Sequence, residues 1–263
     1  MNLYIRLIIL PIAAACCVAA LLAMPAASQA KYKTPTVLYY GDSLAAESAT
    51  YVRSALAVNN KAVMVDRTYP GTSPCDWTPA MKLDLSRGVP AAVILETFGN
   101  NISRCQIHGG SRASSGSSAY WRQYKKDITD LISMLPDSVP VWLTAAPASW
   151  NNGSGESSRS ARMFALMQEI AASRNNTWAV DAGAAVEDSK GGYVASMPCL
   201  PSEPCTNSPS QGRNRTHAYD GLHFCPAIHN ATIALLRHCP VYASGAWRFG
   251  MAQVKPVINL LGF

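Results

Sequence analysis

The chain has 263 residues, 49% of them hydrophobic and 14% charged, and carries a formal charge of +6. That amounts to one globular domain or at most two small ones, and it is too apolar to be disordered. The 22 basic residues are spread along the chain and not gathered in a stripe, which argues against nucleic acid as a partner, and 17 Gly and 17 Pro exclude a collagen-like repeat or a Pro-rich linker protein.

The first thirty residues read as an address. One charge, Arg6, precedes an apolar run from Leu7 to Met24 and a small-residue stretch ending in Ser28-Gln29-Ala30. This is the layout of a secretory signal peptide cleaved after Ala30, leaving residues 31–263 as one domain. The competing readings are an uncleaved membrane anchor, although Pro11 interrupts the run, and a lipoprotein cysteine at Cys16 or Cys17. Cleavage removes one basic residue and no acidic one, so +6 becomes +5. Six of the eight cysteines remain: Cys75, Cys105, Cys199, Cys205, Cys225 and Cys239. An even number in an exported chain suggests up to three disulfides, and without a C-x-x-C pair or an H-x-x-x-H site no metal is expected. The expected location is secreted or in the cell envelope.

Beyond the leader, near-continuous apolar runs over 36–40, 62–66, 91–98, 139–146 and 177–182 predict five short strands, with the pattern of strands covered on both faces. Helical stretches over 45–58, 79–86, 120–135 and 158–173 alternate with them, and a last helix is expected over 226–237, with Pro226 in its first turn. Strands alternating with helices imply βαβ units with right-handed crossovers. The expected fold is therefore α/β: a three-layer α/β/α sandwich, flavodoxin-like, with about five parallel strands. Three loop segments, 68–78, 103–118 and 187–219, break this rhythm, and loops of such length in a compact domain tend to carry function.

Open parallel sheets bind ligands at the carboxyl ends of their strands, near the point where strand order reverses. Gly41-Asp42-Ser43-Leu44 follows the first strand, Gly71 the second and Gly99-Asn100-Asn101 the third, while Asp220-Gly221-Leu222-His223 precedes the expected last helix. Each has a plain reading when taken alone. Ser43 can cap a helix, Gly71 after Pro70 can serve a turn, Asp220 can be a turn residue, and His223 can begin a helix.

Taken together and in this order, Gly41-Asp42-Ser43-Leu44, Gly71, Gly99-x-Asn101 and Asp220-x-x-His223 resemble the four blocks of the SGNH or GDSL hydrolase superfamily. They span residues 41–223, nearly the whole domain. The segments Thr72 to Trp77 and Asp220 to Pro226 also look like those of exported actinobacterial members. One departure stands out: the third block of the family is usually Gly-x-Asn-Asp, and Ile102 occupies the final position here. The G-x-S-x-G elbow of α/β-hydrolases is absent, since Ala45 takes its last position.

The resemblance implies a serine esterase that cleaves carboxylic esters through an acyl-enzyme, with no metal or organic cofactor. Ser43 would be the nucleophile, and because a lone hydroxyl is hardly ionised at neutral pH it needs a base. His223 would take that proton and return it to the leaving alcohol, while Asp220 orients the imidazole and stabilises its charged form. The backbone N–H groups of Ser43 and Gly71 and the side-chain amide of Asn101 would form the oxyanion hole. A small-molecule, lipid or glycan ester would be the substrate, with membrane or cell-wall association left open and a monomer expected. The alternatives are an acyltransferase acting on an envelope glycan or lipid through the same triad, and a non-catalytic envelope binding protein. Trp77, Trp121 and Trp150 stand near the loops as lining or as packing; His108, His217, His229 and His238 have no acid partner at a telling spacing.

Cys75 and Cys105 each lie four residues past an oxyanion residue, at the same end of adjacent strands, so a bridge between them would brace that wall. Cys199 can pair with Cys205 within one loop. Cys225 and Cys239 are a poorer match, because fourteen residues of unbroken helix would hold them ~21 Å apart. Either that helix is broken or these two pair with Cys199 and Cys205.

Overall fold

In the computed structural model, residues 32–58, 61–150, 155–206, 209–218, 220–225, 239 and 242–262 are described. The leader expected over 1–30 and the helix expected over 226–237 lie outside them. Among the described residues no helix is long and apolar enough to cross a membrane.

The five apolar runs form one parallel sheet: β1 (Thr36–Gly41), β2 (Val63–Thr68), β3 (Ala92–Thr97), β6 (Val141–Ala145) and β7 (Thr177–Val180). Two short hairpins lie outside it, β4 (Ile107–His108) with β5 (Ser111–Arg112), and β8 (Ser196–Pro198) with β9 (Arg213–Arg215). The sheet order is β2-β1-β3-β6-β7. The chain leaves β1 for one edge and returns to its other side with β3, so strand order reverses between these two, as in flavodoxin-like sheets. Every residue of β1, β3 and β6 is buried, whereas the edge strands β2 and β7 are only half covered. Coverage on both faces, expected of all five strands, thus holds for the inner three.

Helices close both faces. α1 (Ser43–Ala57) and α5 (Ser244–Leu261) cover one face, where Ala45, Ala49, Val52, Val254 and Val257 meet Val37, Tyr39, Ile94 and Trp142. α2 (Thr78–Arg87), α3 (Ser118–Ile132) and α4 (Gly155–Ala172) cover the other, where Met81, Tyr124, Ile128 and Met167 meet Leu38, Tyr40, Leu95 and Leu143. Alternate residues of each inner strand serve opposite layers, as the twofold alternation of strand side chains requires.

α5 corrects the expectation that the last helix ends near residue 237. Its apolar positions Ala246, Phe249, Val254 and Val257 are spaced to face the core, although Pro256 lies inside the helix. Gly250 lets α5 approach α1 closely: a Cβ there would stand 3.2 Å from the Ser48 Cβ. A buried ion pair fastens the 187–219 excursion to α5, with the Arg248 guanidinium on the Glu203 carboxylate at 2.6 Å and 3.0 Å.

The three disulfides are Cys75–Cys105, Cys199–Cys205 and Cys225–Cys239. The third is the pairing disfavoured on the sequence. Its Cα atoms are 5.1 Å apart, within disulfide reach, so the alternative of pairing these two with Cys199 and Cys205 falls.

Candidate active site

The carboxyl ends of β1 and β3 meet at the strand-order reversal, and both inner loops are set there by one carboxylate. Asp42 is completely buried and caps α1, its Oδ1 accepting the Leu44 N–H at 3.1 Å. Its Oδ2 accepts the Phe98 N–H at 2.8 Å and the Asn100 Nδ2 at 3.0 Å, which ties β1 to the loop after β3. The plain reading of Ser43 as a helix cap is therefore displaced: Asp42 is the cap and Ser43 the first helical residue. Its N–H is among those without a partner inside the helix, at the end whose dipole favours negative charge. Next to Asp42, the buried Glu96 Oε2 accepts the Asp42 N–H at 3.2 Å. Burial first, and then the Asp42 charge, push the Glu96 carboxyl well above its ordinary range, which disfavours two negative charges on this pair.

The Asp220–His223 turn comes to Ser43 from 180 residues away. His223 Nε2 is 3.0 Å from Ser43 Oγ and its Nδ1 is 2.7 Å from Asp220 Oδ2. Asp220 Oδ1 accepts the N–H groups of Leu222 and His223, both at 3.0 Å, so the carboxylate shapes its own turn and orients the ring. Burial opposes ionisation of Asp220, but these hydrogen bonds and the imidazole prevail and hold it down to about 2. Burial likewise opposes the charged imidazole of His223, and the Asp220 hydrogen bond, with the charges of Glu47, Asp220 and Asp42, outweighs it and raises the pKa. A base whose conjugate acid is stabilised next to a serine hydroxyl can accept the serine proton.

Gly221, between Asp220 and Leu222, has φ +68°, and a Cβ there would fall 1.9 Å from Trp150 Cδ1. Only glycine allows the indole to lie directly on this turn. The Trp150 backbone N–H donates to the Gly221 carbonyl at 2.9 Å, and the Ala148 N–H two residues earlier donates to Glu187 Oε1 at 2.6 Å. Pinned at both points, the Trp150 side chain remains 58% exposed. Trp77, by contrast, is buried in the core against Tyr40, and the partly buried Trp121 packs on Tyr120 at the margin of that core.

The opposite wall holds Gly71 and Asn101. Gly71 turns the chain after β2 with φ +77°, and a Cβ on it would meet Ile102 at 3.0 Å, so the residue in place of the family's usual Asp packs against this turn. Asn101 Nδ2 donates to the Ala113 carbonyl at 2.8 Å, which uses one of its two amide hydrogens. Neighbouring Asn100 uses both, on Asp42 Oδ2 and on the Thr72 carbonyl at 3.1 Å. The carbonyl of Asn100 accepts from Tyr124 Oη at 2.6 Å, Gln106 Nε2 at 2.8 Å and Ser73 Oγ at 3.0 Å, and that of Gly99 from Tyr120 Oη at 2.6 Å. The Cys75–Cys105 bridge, with Ser103 Oγ on Asp76 Oδ1 at 2.6 Å, locks the loops after β2 and β3 together. Asn101 also borders a cavity of ≈ 280 Å³ with Gln106, Ala113, Tyr120 and Tyr124.

Three further residues belong to this constellation and carry no sequence signal of their own: Asn100, Glu96 and Glu47. Glu47 on α1 is fully buried, and its Oε2 accepts the N–H of Phe224, the residue after His223, at 2.7 Å.

No family model and no curated protein matches the sequence. Solved structures do match. A lipase/acylhydrolase from Enterococcus faecalis shares 15% identity over 86% of this chain and 97% of its own, at a TM-score of 0.51. A variant of an acetyl-xylooligosaccharide esterase from Geobacillus stearothermophilus shares 14% over 89% and 97%, at 0.53. An α/β hydrolase from the metagenome of Lake Arreo shares 12% over 88% and 96%, at 0.53. The chain has the α/β fold of these proteins, a five-stranded parallel sheet between helical layers, with a Ser-His-Asp relay at its strand-order reversal.

Proposed function

We propose that the protein is a serine ester hydrolase of the SGNH type. The observation that carries this is the relay itself: Ser43 Oγ, His223 Nε2 and Nδ1, and Asp220 Oδ2 connected at 3.0 Å and 2.7 Å. His223 takes the Ser43 proton as Oγ attacks the ester carbonyl. The oxyanion is met by the N–H groups of Ser43 and Gly71 and by the remaining amide hydrogen of Asn101, and collapse expels the alcohol with the proton from His223. Water then repeats the sequence on the acyl-enzyme and frees the acid.

The leaving alcohol has to lie beside His223, on the flank where Trp150 rests on Gly221. On the other flank, the cavity of ≈ 280 Å³ next to Asn101 is just below the range of drug-sized ligand sites, which favours a short acyl group. Short acyl esters of envelope glycans or lipids fit both features, and three disulfides accord with an exported protein. The test is release of free carboxylic acid from short and medium nitrophenyl esters by wild type and Ser43→Ala. Steady release without an acceptor, abolished in the variant, is expected. A single acyl burst that turns over only when a sugar or lipid alcohol is added would make the protein an acyltransferase.

A further inference from the structure

Glu47 sits one helical turn after Ser43 on α1, which puts the two residues on the same face. A glutamate on a helix normally reaches water, yet this one is fully buried. One carboxylate oxygen accepts the Phe224 N–H at 2.7 Å, the Cys225 N–H also lies near enough to favour the charged form, and Oε1 is buried without a partner at full hydrogen-bond geometry. A buried carboxylate with an unsatisfied oxygen is expensive unless a charge compensates it. The neighbouring groups point to one. Those facing Glu47 are His223 and Asp220, and those facing His223 are Asp220 on its own turn, Glu47 on α1 and Asp42 at the α1 cap. Arg248 on α5, packed against α1, is committed to Glu203. The charge available to compensate it is the imidazolium that His223 becomes on taking the Ser43 proton.

We infer that Glu47 is a positioning residue of the site, clamping the turn that carries His223 onto the nucleophile's own helix and placing a second carboxylate beside the imidazole. Its part in catalysis rests on the ester hydrolase function proposed above; its effect on the His223 proton does not. Burial pushes the Glu47 carboxyl up to about 7, against the pull of His223 and of the Phe224 and Cys225 N–H groups, so it changes charge near neutrality beside an imidazole whose own pKa is raised. When Glu47 is ionised, it favours protonated His223 and thus the imidazolium that forms as Ser43 attacks.

The test is an NMR pH titration of the full chain carrying labelled histidine and glutamate, with the His223 signal assigned by its loss in His223→Asn. In Glu47→Gln, which keeps an oxygen for the Phe224 N–H, the His223 midpoint is expected to fall by about one pH unit, the lower end for removing an opposite charge at close range. In Glu47→Asp the charge is kept and most of the shift should return. The acid limb of kcat/KM should move with the midpoint, and its plateau should drop about tenfold. Should Glu47→Gln fail to fold, the wild-type Glu47 carboxyl carbon decides: titration near neutrality supports the assignment, and titration in the ordinary range near 4 overturns it. A His223 midpoint unchanged in folded Glu47→Gln also overturns it, since a purely structural residue would alter melting and not the midpoint. A shifted midpoint without ester turnover in wild type would refute the hydrolase and leave Glu47 standing. Normal turnover with an unshifted midpoint would do the reverse.

Discussion

Asn100 and Asn101 are chemically identical neighbours, and replacing each by alanine should give opposite outcomes. Asn100 spends both amide hydrogens inside the protein, one on the buried Asp42 carboxylate and one on the Thr72 carbonyl. A hydrogen bond to a charged group contributes about 2 kcal/mol and one to a neutral carbonyl about 1, so Asn100→Ala should cost ~3 kcal/mol of stability. For a chain of this size that is a fall in Tm of roughly 6–12 °C. The reaction loses no donor, so kcat at a temperature where the variant is folded should fall less than tenfold. Asn101 spends only one hydrogen, on the Ala113 carbonyl. Asn101→Ala should therefore lower Tm by only about 2–4 °C, while kcat drops 10²–10³-fold, the usual order for loss of an oxyanion donor. Calorimetry and steady-state kinetics on short nitrophenyl esters measure both quantities. If Asn101→Ala keeps kcat within a few fold of wild type, the oxyanion assignment is wrong; if Asn100→Ala melts like wild type, the role of Asn100 as the tie between the two loops is wrong.

Other consequences can be measured alongside. Asp220→Asn should lower kcat by about 10⁴, because an amide stabilises the wrong imidazole tautomer. Since His223 must be neutral to act as base and its pKa is raised, the acid limb of kcat/KM in wild type should lie above about 6.5, and in Asp220→Asn it should move down; an upward move would contradict the electrostatics. The Cys75–Cys105 bridge closes a loop with a sequence separation of 30, worth about 3.5 kcal/mol on the chain-entropy estimate, so the double serine variant should melt some 7–14 °C lower, with unchanged melting as the contrary result. Trp150→Ala should raise KM for esters of bulky alcohols and spare small alkyl esters; an equal loss on both would mean that the indole only supports the Gly221 turn.

The inner sheet is legible in the sequence because β1, β3 and β6 are buried on both faces, and an unbroken apolar run such as Val-Ile-Leu in β3 has few other uses. The edges are less so: α1 starts at Ser43 and not at 45, since Asp42 in a loop position supplies the cap two residues earlier than periodicity shows. α5 escapes because Gly245, Gly250 and Pro256 read as breakers, while the face it buries exists only once α1 is beside it. The triad is visible because Ser43, Asp220 and His223 each sit in a short motif. Glu47, Glu96 and Asn100 are not, since a helical glutamate, a strand glutamate and the first of two asparagines acquire roles only when the loops after β1 and β3 and the Asp220 turn converge. The Cys225–Cys239 bridge was obscured for a related reason, its partners being judged from an assumed local helix.

The most direct test of the central claim is intact-mass analysis after exposure to a fluorophosphonate probe, with wild type beside Ser43→Ala. A single adduct on wild type, mapped to Ser43 and lost in the variant, is the predicted result. Wild type that takes no adduct, or a variant labelled to the same extent, would contradict Ser43 as the activated nucleophile.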